Sequence, residues 1–150
     1  MNAIDYTVFD SMYYDPIVYE NITYPSVENA FQASRFKDIS MKYKFVKMTP
    51  YEAAYRGKAF KTTVSDWDYM KNDIMYDLLK IKFSKPDLKH MLLSTSDDII
   101  ITCNNHDRHW RVCTCQQCKN TGSNVLGNLL TQLRSELSQN ENIKYQHEII

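Results

Sequence analysis

The change from extended chain to helix falls within residues 24–33, which read YPSVENAFQA. Pro25 ends the extended part, and Ser26 is a residue type that caps helix N-termini well. Glu28 follows at the second helical position, where the helix dipole stabilises a negative charge. We therefore predict a helix that begins after Ser26 and runs to about Phe36.

The residues before this helix are rich in β-branched and aromatic side chains, which favour short strands. Three such strands are predicted, at residues 6–9, 17–19 and 22–24. Turns at Asp15-Pro16 and at Glu20-Asn21 separate them. The first part of the chain is therefore predicted to form a small sheet that leads into the helix.

Caps and helical spacing predict two further helices. Thr49 and Glu52 form a capping box with Pro50 at the first helical position, and Gly57 is a natural stop for this helix. Ser65 is predicted to cap a longer helix. The apolar residues that recur at helical spacing after it are Trp67, Met70, Ile74, Met75, Leu78 and Leu79.

The second half of the chain adds helices and one clear strand. Pro86 is predicted to open a short helix through Leu93. Ile99–Cys103 is predicted to be a strand that pairs with His109–Cys113 across a short turn. Asn124 is predicted to cap a last helix that frays after Gln139. The predicted fold class is α+β, a helix-dominated single domain with a small antiparallel sheet.

Length and composition exclude several classes of protein. The chain has 150 residues, the size of one domain, with 43% hydrophobic and 24% charged residues. These values exclude a mostly disordered chain, a collagen-like chain and a coiled-coil rod. Eighteen basic and eighteen acidic side chains give a net charge of zero, which disfavours bulk nucleic-acid binding. No membrane span or signal peptide is recognisable, so a cytoplasmic location is predicted.

Three of the four cysteines lie close together, at positions 113, 115 and 118, shortly after His106 and His109. Zinc prefers cysteine and histidine at such short spacings. The pattern Cys-x-Cys-x-x-Cys nevertheless differs from the usual two separated Cys-x-x-Cys pairs. A reduced hairpin or loop with incidental thiols is the favoured interpretation, and the absence of a secretion signal disfavours a redox or disulfide role. We assign no metal ligand and no cofactor on the sequence alone.

Two polar clusters could carry chemistry. Glu28, Gln32 and Arg35 are spaced to share one face of the predicted helix, which is either solvated surface or part of a site. Residues 106–110, His-Asp-Arg-His-Trp, form either a site or a well-paired loop. The N–H groups that open the last helix, after residues 121–124, could hold an anion or could simply be capped. Serine-hydrolase, Walker, dinucleotide-binding and zinc-protease patterns are not found in the sequence.

Taken in order, several short motifs resemble the NADAR family of N-glycosidases. The resemblance covers about residues 9–137, and the ordered set is more specific than any single motif. The matching stretches are residues 24–33, Trp67 with Lys71 and Met75, Lys82-Phe83, Leu92–Thr95, Asp107–Trp110, Asn124–Leu130 and Leu133-Arg134.

This resemblance implies an enzyme that hydrolyses the N-glycosidic bond between a ribose and a base or amine. The implied substrate is ADP-ribosylated guanine in nucleic acid or a phosphoribosylamino-pyrimidine intermediate of riboflavin biosynthesis. The family's glutamate falls on Glu28 and its loop aspartate on Asp107, which are therefore the implied catalytic carboxylates. The residues implied to bind substrate are Trp67, Trp110, Asn124, Gln32, Arg35 and Lys58.

The implied residues suit the chemistry. Cleavage of a ribose C1′–N bond passes through an oxocarbenium-like state, which a carboxylate stabilises, and a carboxylate can also activate water. The two indoles could stack on a base. Arg35, Lys58 and the start of the last helix could hold phosphate.

The chain departs from the family pattern at several positions. Arg35 stands where lysine is usual, and a guanidinium does not form a Schiff base. Ser11 and Arg111 stand where asparagine and glycine are common. Two other interpretations therefore stay open: a non-catalytic protein that binds ADP-ribose or a nucleotide, and a zinc-stabilised interaction module that uses Cys113, Cys115, Cys118 and His109.

Overall fold

A computed structural model describes residues 6–104 and 106–148. These residues contain two strands and six α-helices, which confirms the α+β class with dominant helices and a small antiparallel sheet. Within these described residues, none of the helices is both long and apolar enough to cross a membrane. The elements are β1 (Ile17–Tyr19), β2 (Ile22–Tyr24), α1 (Val27–Ala33), α2 (Ile39–Val46), α3 (Pro50–Ala59), α4 (Trp67–Lys82), α5 (Pro86–Ser94) and α6 (Val125–Glu148).

The described chain divides into two compact units, and the boundary between them falls between Ser84 and Lys85. The N-terminal unit holds the sheet and helices α1 to α4. The C-terminal unit holds helices α5 and α6 and the long connection between them. The single domain expected from the chain length stays a prediction.

The strands β1 and β2 form the predicted antiparallel hairpin and pair over their full length. Glu20 and Asn21 connect them with positive φ angles of 49° and 66°. Positive φ at both central residues is typical of the two-residue turns whose twist matches that of paired strands. The hairpin delivers the chain to Ser26, where α1 begins.

The strand predicted at residues 6–9 is wrong, because Tyr6–Phe9 forms a 3-10 turn. A hydrogen bond of 3.1 Å from Asp10 N to Thr7 O closes the turn locally. The buried Phe9 ring lies 6.0 Å from the ring of Phe83, which follows α4. This segment has high strand propensity, but it forms a turn that packs Phe9 against Phe83.

Helix α1 begins where the sequence predicts it, and all of its residues are buried. Ser26 caps it, because its Oγ accepts a hydrogen bond of 3.2 Å from Asn29 N. The helix ends at Ala33, short of the predicted Phe36. Its last turn is tightened by hydrogen bonds that span three residues, including Arg35 N to Gln32 O. Helix α1 packs against α2, α3 and α4 and is the centre of the N-terminal unit.

Helix α2 is missing from the sequence-based prediction. Asp38 caps it by accepting a hydrogen bond of 2.8 Å from Ser40 N. At the other end, the buried Asn29 amide donates to the carbonyls of Phe45 and Met48 at 2.8 Å and 2.9 Å. The Asn29 side chain therefore donates hydrogen bonds to carbonyl groups that the end of α2 would leave without a partner.

The helix predicted after Thr49 is α3, and its cap is confirmed, since Thr49 Oγ1 accepts from Glu52 N at 3.1 Å. Gly57 does not stop this helix, which continues past it. Helix α4 begins after Asp66, which has a φ of 60°. The predicted cap at Ser65 is therefore wrong.

In the C-terminal unit, α5 begins at Pro86 as predicted, and it packs against α6. Helix α6 continues to Glu148, so the predicted fraying after Gln139 is wrong. An ion pair between Lys89 and Glu141 joins α5 to this later part of α6. The two helices therefore support each other beyond the apolar positions that the sequence indicated.

The hairpin predicted from Ile99–Cys103 and His109–Cys113 is wrong. Among the described residues, the two segments share one isolated bridge, which joins Cys103 to Val112 and is parallel. Ile100 is buried while the isoleucines on either side of it are exposed, so the segment alternates like a strand. Two of its backbone groups form hydrogen bonds with the side chain of Asn124 instead of with a second strand.

Candidate active site

Glu28 is a buried carboxylate on α1 with only 6% of its surface exposed. Its Oε2 accepts a hydrogen bond from Ser11 Oγ, and its Oε1 accepts one from Gln32 Nε2, both at 2.9 Å. The backbone N–H of Glu28 also donates to Ser11 O at 2.9 Å. Both carboxylate oxygens are therefore held in a fixed orientation by uncharged donors.

Gln32 connects Glu28 to Arg35. While its Nε2 donates to Glu28, its Oε1 accepts from Arg35 Nη1 at 3.0 Å. Burial lowers the pKa of Arg35, and the negative charge of Glu28 opposes that shift. The three residues that the spacing places together, Glu28, Gln32 and Arg35, are therefore connected by hydrogen bonds. We call this network the Glu28 cluster, and it consists of Ser11, Glu28, Gln32, Arg35 and Gly57.

Arg35 binds three acceptors. Its Nη1 reaches Gln32 Oε1 and the carbonyl of Gly57, and its Nε donates to Thr62 Oγ1 at 3.0 Å. A lysine ammonium lacks the planar fork that serves several acceptors in fixed directions. The arginine at this position therefore ties α1 to α3 and to the loop that follows α3.

Gly57 leaves room for the Gln32 side chain. A Cβ at position 57 would lie 2.0 Å from Gln32 Oε1 and 2.6 Å from Gln32 Cδ. Both distances are far below ordinary van der Waals contact. The sequence suggested a helix stop at this glycine, but its role in the structure is to allow a close approach between α1 and α3.

Two further predicted site residues belong to the same unit. Trp67 begins α4, and its half-buried ring packs on Phe31 with a centroid distance of 5.1 Å. Phe31 follows Glu28 by three positions on α1, so the indole lies against the helix that carries the carboxylate. Lys58 is exposed on α3, beside Gly57.

Asp107 organises a loop of the C-terminal unit. Its Oδ1 accepts from the N–H groups of His109 and Trp110 at 3.2 Å and 3.0 Å. Its Oδ2 pairs with Arg111 Nη1 at 2.7 Å, and that arginine side chain is only 3% exposed. Both carboxylate oxygens of Asp107 are therefore engaged within the loop that carries Trp110.

Asn124 holds the extended segment against the start of α6. Its Nδ2 donates to Ile100 O at 2.9 Å, and its Oδ1 accepts from Thr102 N at 3.1 Å. Thr102 Oγ1 donates to Trp110 O at 3.2 Å, which connects Asn124 to the loop of Asp107. Asn124 precedes α6 as predicted, but its side-chain amide forms hydrogen bonds with the backbone of Ile100 and Thr102.

The backbone at the start of α6 is already paired. Three N–H groups there donate to three carbonyls of the preceding loop at 2.9–3.0 Å: Ser123 to Arg108, Val125 to His109 and Leu126 to Trp110. These three groups are therefore not free to hold a phosphate, and the contacts favour the alternative in which the helix start is capped. A helix start can bind an anion only through N–H groups that are free.

Ser11, Gly57 and Arg111 were not predicted as parts of these clusters. Arg111 had a local signal, since opposite charges four residues apart often pair, although the Asp107–Arg111 pair lies in a loop. Ser11 lies 17 positions from Glu28, and Gly57 lies 22 positions from Arg35. No local spacing identifies such partners.

Replacing Asp107 with asparagine should lower the free energy of unfolding by about 1–3 kcal/mol, because the buried Arg111 loses a partner. Asparagine keeps an oxygen for the two loop N–H groups, but it loses the charge that pairs with the buried Arg111. Urea unfolding would measure the change. Asp97→Asn is the matched control, because Asp97 is exposed in the same unit, and it should change stability little. Equal effects of the two substitutions would contradict the structural role of the ion pair.

A separate cleft of about 520 Å³ lies in the N-terminal unit. Its walls include Tyr19, Phe36 and Met70, together with charged side chains of both signs. None of the predicted site residues lines this cleft. The two predicted catalytic carboxylates lie away from this cleft, Glu28 in the Glu28 cluster and Asp107 in the Asp107 loop, residues 106–111.

Comparison with known proteins gives consistent matches. The family model described as the NADAR domain matches residues 2–138. N-glycosidase YbiA of Escherichia coli (strain K12) is 28% identical over 137 residues, which cover 89% of this chain and 83% of that protein. N-glycosidase Npun_R5314 of Nostoc punctiforme is 31% identical over 118 residues, covering 75% and 73%. The chain is also similar in structure to the NMR structure of E. coli YbiA, with a TM-score of 0.77 and 27% identity over 91% of this chain and 81% of that one.

A plant protein gives a partial match of higher identity. The chloroplastic riboflavin biosynthesis protein PYRR of Zea mays is 39% identical over 129 residues, or 77% of this chain. The chain spans only 20% of the length of that protein. The similarity therefore concerns one part of the plant protein.

Proposed function

Because the chain belongs to the NADAR domain family, we propose that it is an N-glycosidase that hydrolyses the bond between C1′ of a ribose and the nitrogen of a base or amine. The observation that carries this proposal is the buried carboxylate of Glu28, whose two oxygens are held by Ser11 and Gln32. The names of the bacterial and cyanobacterial relatives support it.

The proposed reaction needs a fixed negative charge beside the ribose. The C1′–N bond breaks, and its electron pair leaves with the nitrogen, so positive charge develops on the sugar ring. A preoriented carboxylate stabilises that charge without having to reorganise. The oxygen of a water molecule then forms a bond to C1′, and a water proton ends on the leaving nitrogen.

Glu28 is the proposed catalytic residue, and the other polar members of its cluster position it. Gln32 fixes one oxygen of the carboxylate, and Arg35 fixes Gln32. We assign Trp67 to stacking on the base, because its indole is partly exposed against α1. Lys58 is the proposed phosphate contact, since its exposed ammonium lies on the adjacent helix α3.

The residues of the C-terminal unit receive supporting roles in this proposal. The oxygens of Asp107 hold the backbone of Trp110, and the amide of Asn124 holds the segment behind it. We therefore propose Asp107 and Asn124 as positioning residues and Trp110 as a substrate contact. A direct role for Asp107 as second carboxylate would require release from Arg111.

For the substrate, we favour a phosphoribosylamino-pyrimidine over ADP-ribosylated guanine in nucleic acid. The name of the plant relative refers to riboflavin biosynthesis. The net charge of zero provides no general attraction for a long polyanion. A single modified base would need only a pocket, so ADP-ribosyl-guanine is the second substrate to examine. The cytoplasm is the proposed location.

The test is a product assay by mass spectrometry on both substrates. Release of ribose 5-phosphate from the pyrimidine intermediate is the expected result, and Glu28→Gln protein purified in parallel reports hydrolysis by contaminants. Release of ADP-ribose from modified DNA instead would support the glycosidase and change its substrate class. Tight binding of either compound without any product would contradict catalysis and favour a binding protein.

A further inference from the structure

Four side chains of types that can bind a metal lie close together in the long connection of the C-terminal unit, outside the proposed catalytic residues. One ligand atom from each of His106, Cys113, Cys115 and Cys118 can be chosen so that all four lie within 4.8 Å of one another. The cysteines are free thiols. We propose that these four residues bind one zinc ion in a structural site, which we call the Cys₃His site.

The spacing of the ligand atoms is close to that of a tetrahedral site. Zinc–sulfur bonds of about 2.3 Å and zinc–nitrogen bonds of about 2.0–2.1 Å place neighbouring ligands roughly 3.5–3.8 Å apart. Cys113 Sγ lies 3.4 Å from Cys115 Sγ, and Cys118 Sγ lies 3.5 Å from His106 Nδ1. Small side-chain rotations therefore convert the cluster into a coordination shell.

The backbone around the cluster supports thiolate ligands. His106 N donates to Cys113 Sγ at 3.0 Å, and Cys118 N donates to Cys115 Sγ at 3.3 Å. Such N–H···S contacts stabilise negative charge on sulfur and orient the ligands from outside the coordination shell. Backbone N–H groups of the same loop thus already hold two of the three sulfur atoms in place.

The two histidines near the cysteines differ in what their rings contact. The ring of His109 packs edge-on against the ring of Trp110, with a centroid distance of 4.6 Å. His106 instead directs Nδ1 towards Cys118. The fourth ligand is therefore His106, and not the His109 of the zinc-module interpretation.

Three thiolates and one imidazole in a closed set favour zinc over hard cations. Calcium and magnesium take oxygen ligands, whereas Cys₃His sets are typical of structural zinc. Coordination of four ligands leaves no position for substrate, so the site is assigned to stability rather than to catalysis.

The proposed ion would fasten a part of the chain that has little regular structure. Between the end of α5 at Ser94 and the start of α6 at Val125, the described residues contain no helix or strand beyond isolated bridges. Loops of this length without regular structure are uncommon in compact domains. The Cys₃His site ties His106, at one end of the Asp107 loop, to the cysteines that follow it.

The first experiment measures metal content. Untagged protein expressed with zinc in the medium should contain about one zinc per chain by elemental analysis. Cys118→Ser and His106→Ala should each reduce this to below about a tenth of an equivalent. Cys103→Ser and His109→Ala are the matched controls, because both residues lie near the site without belonging to it, and both should retain zinc.

The second experiment adds spectroscopy and stability. Reduced, metal-free protein titrated with Co²⁺ should develop thiolate-to-cobalt charge-transfer bands and the d–d bands of a tetrahedral site. Removing zinc from wild-type protein with a chelator should lower Tm by roughly 10 °C. Cys118→Ser protein should show neither the bands nor the shift.

Several results would overturn the proposal. They are zinc content and cobalt bands near zero in reduced wild-type protein, equal loss of zinc in the Cys103→Ser control, or thiol titration that finds a Cys113–Cys115 disulfide in freshly purified protein. None of these measurements depends on N-glycosidase activity. Failure of the zinc proposal is therefore distinguishable from failure of the proposed function.

Discussion

Replacement of Glu28 with glutamine is expected to lower kcat/KM by about a thousandfold while the fold stays intact. Glutamine has the shape of glutamate, and its amide can still pair with Ser11 and Gln32. It lacks the negative charge that the developing oxocarbenium ion needs. Because the charge acts in the transition state, the loss should fall on kcat more than on KM.

The control for this substitution is Glu52→Gln. Glu52 is exposed in the first turn of α3, so its replacement makes the same chemical change outside the cluster. Its kcat/KM should stay within about twofold of wild type, and the Tm of both variants should lie within a few degrees of wild type. A folded Glu28→Gln protein with nearly full activity would refute the role assigned to Glu28.

Local signals predicted the part of the fold that lies around residues 17–33. A polar turn joins two short runs of β-branched and aromatic residues, and Ser26 then caps a helix. Each of these features depends on residues only a few positions apart. The same holds for the start of α3 at Thr49 and of α5 at Pro86.

The errors arose where distant packing decided the structure. Tyr6–Phe9 has strand propensity, but burial of Phe9 against Phe83 sets its conformation. Ile99–Cys103 alternates like a strand, yet part of its backbone pairs with the amide of Asn124. Propensity describes what a segment can form, and tertiary contacts select among those forms.

The candidate site follows the same division. The spacing of Glu28, Gln32 and Arg35 predicts one shared face, and the structure shows a hydrogen-bonded chain through them, with Arg35 just beyond the end of α1. Ser11 and Gly57 complete the cluster from other segments. A single sequence contains no signal for such pairs, because their proximity exists only in the folded chain.

Gly57→Ala is expected to lower kcat/KM by about 30- to 100-fold with a modest loss of stability. The added methyl group would overlap Oε1 and Cδ of Gln32, so that side chain must move. Its movement breaks the hydrogen bonds to Glu28 and to Arg35 and frees one oxygen of the carboxylate. Two lost hydrogen bonds cost about 1–3 kcal/mol, and the higher helix propensity of alanine returns about 1 kcal/mol.

A double-mutant cycle identifies the cause of this loss. Gln32→Ala removes the side chain that the new methyl group would strike, and by itself it should reduce activity about as much as Gly57→Ala. Adding Gly57→Ala to Gln32→Ala should then reduce kcat/KM by less than about threefold, because the two substitutions act through one contact. Full additivity of the two losses would contradict this mechanism, since the glycine would then act on the site by a route other than Gln32.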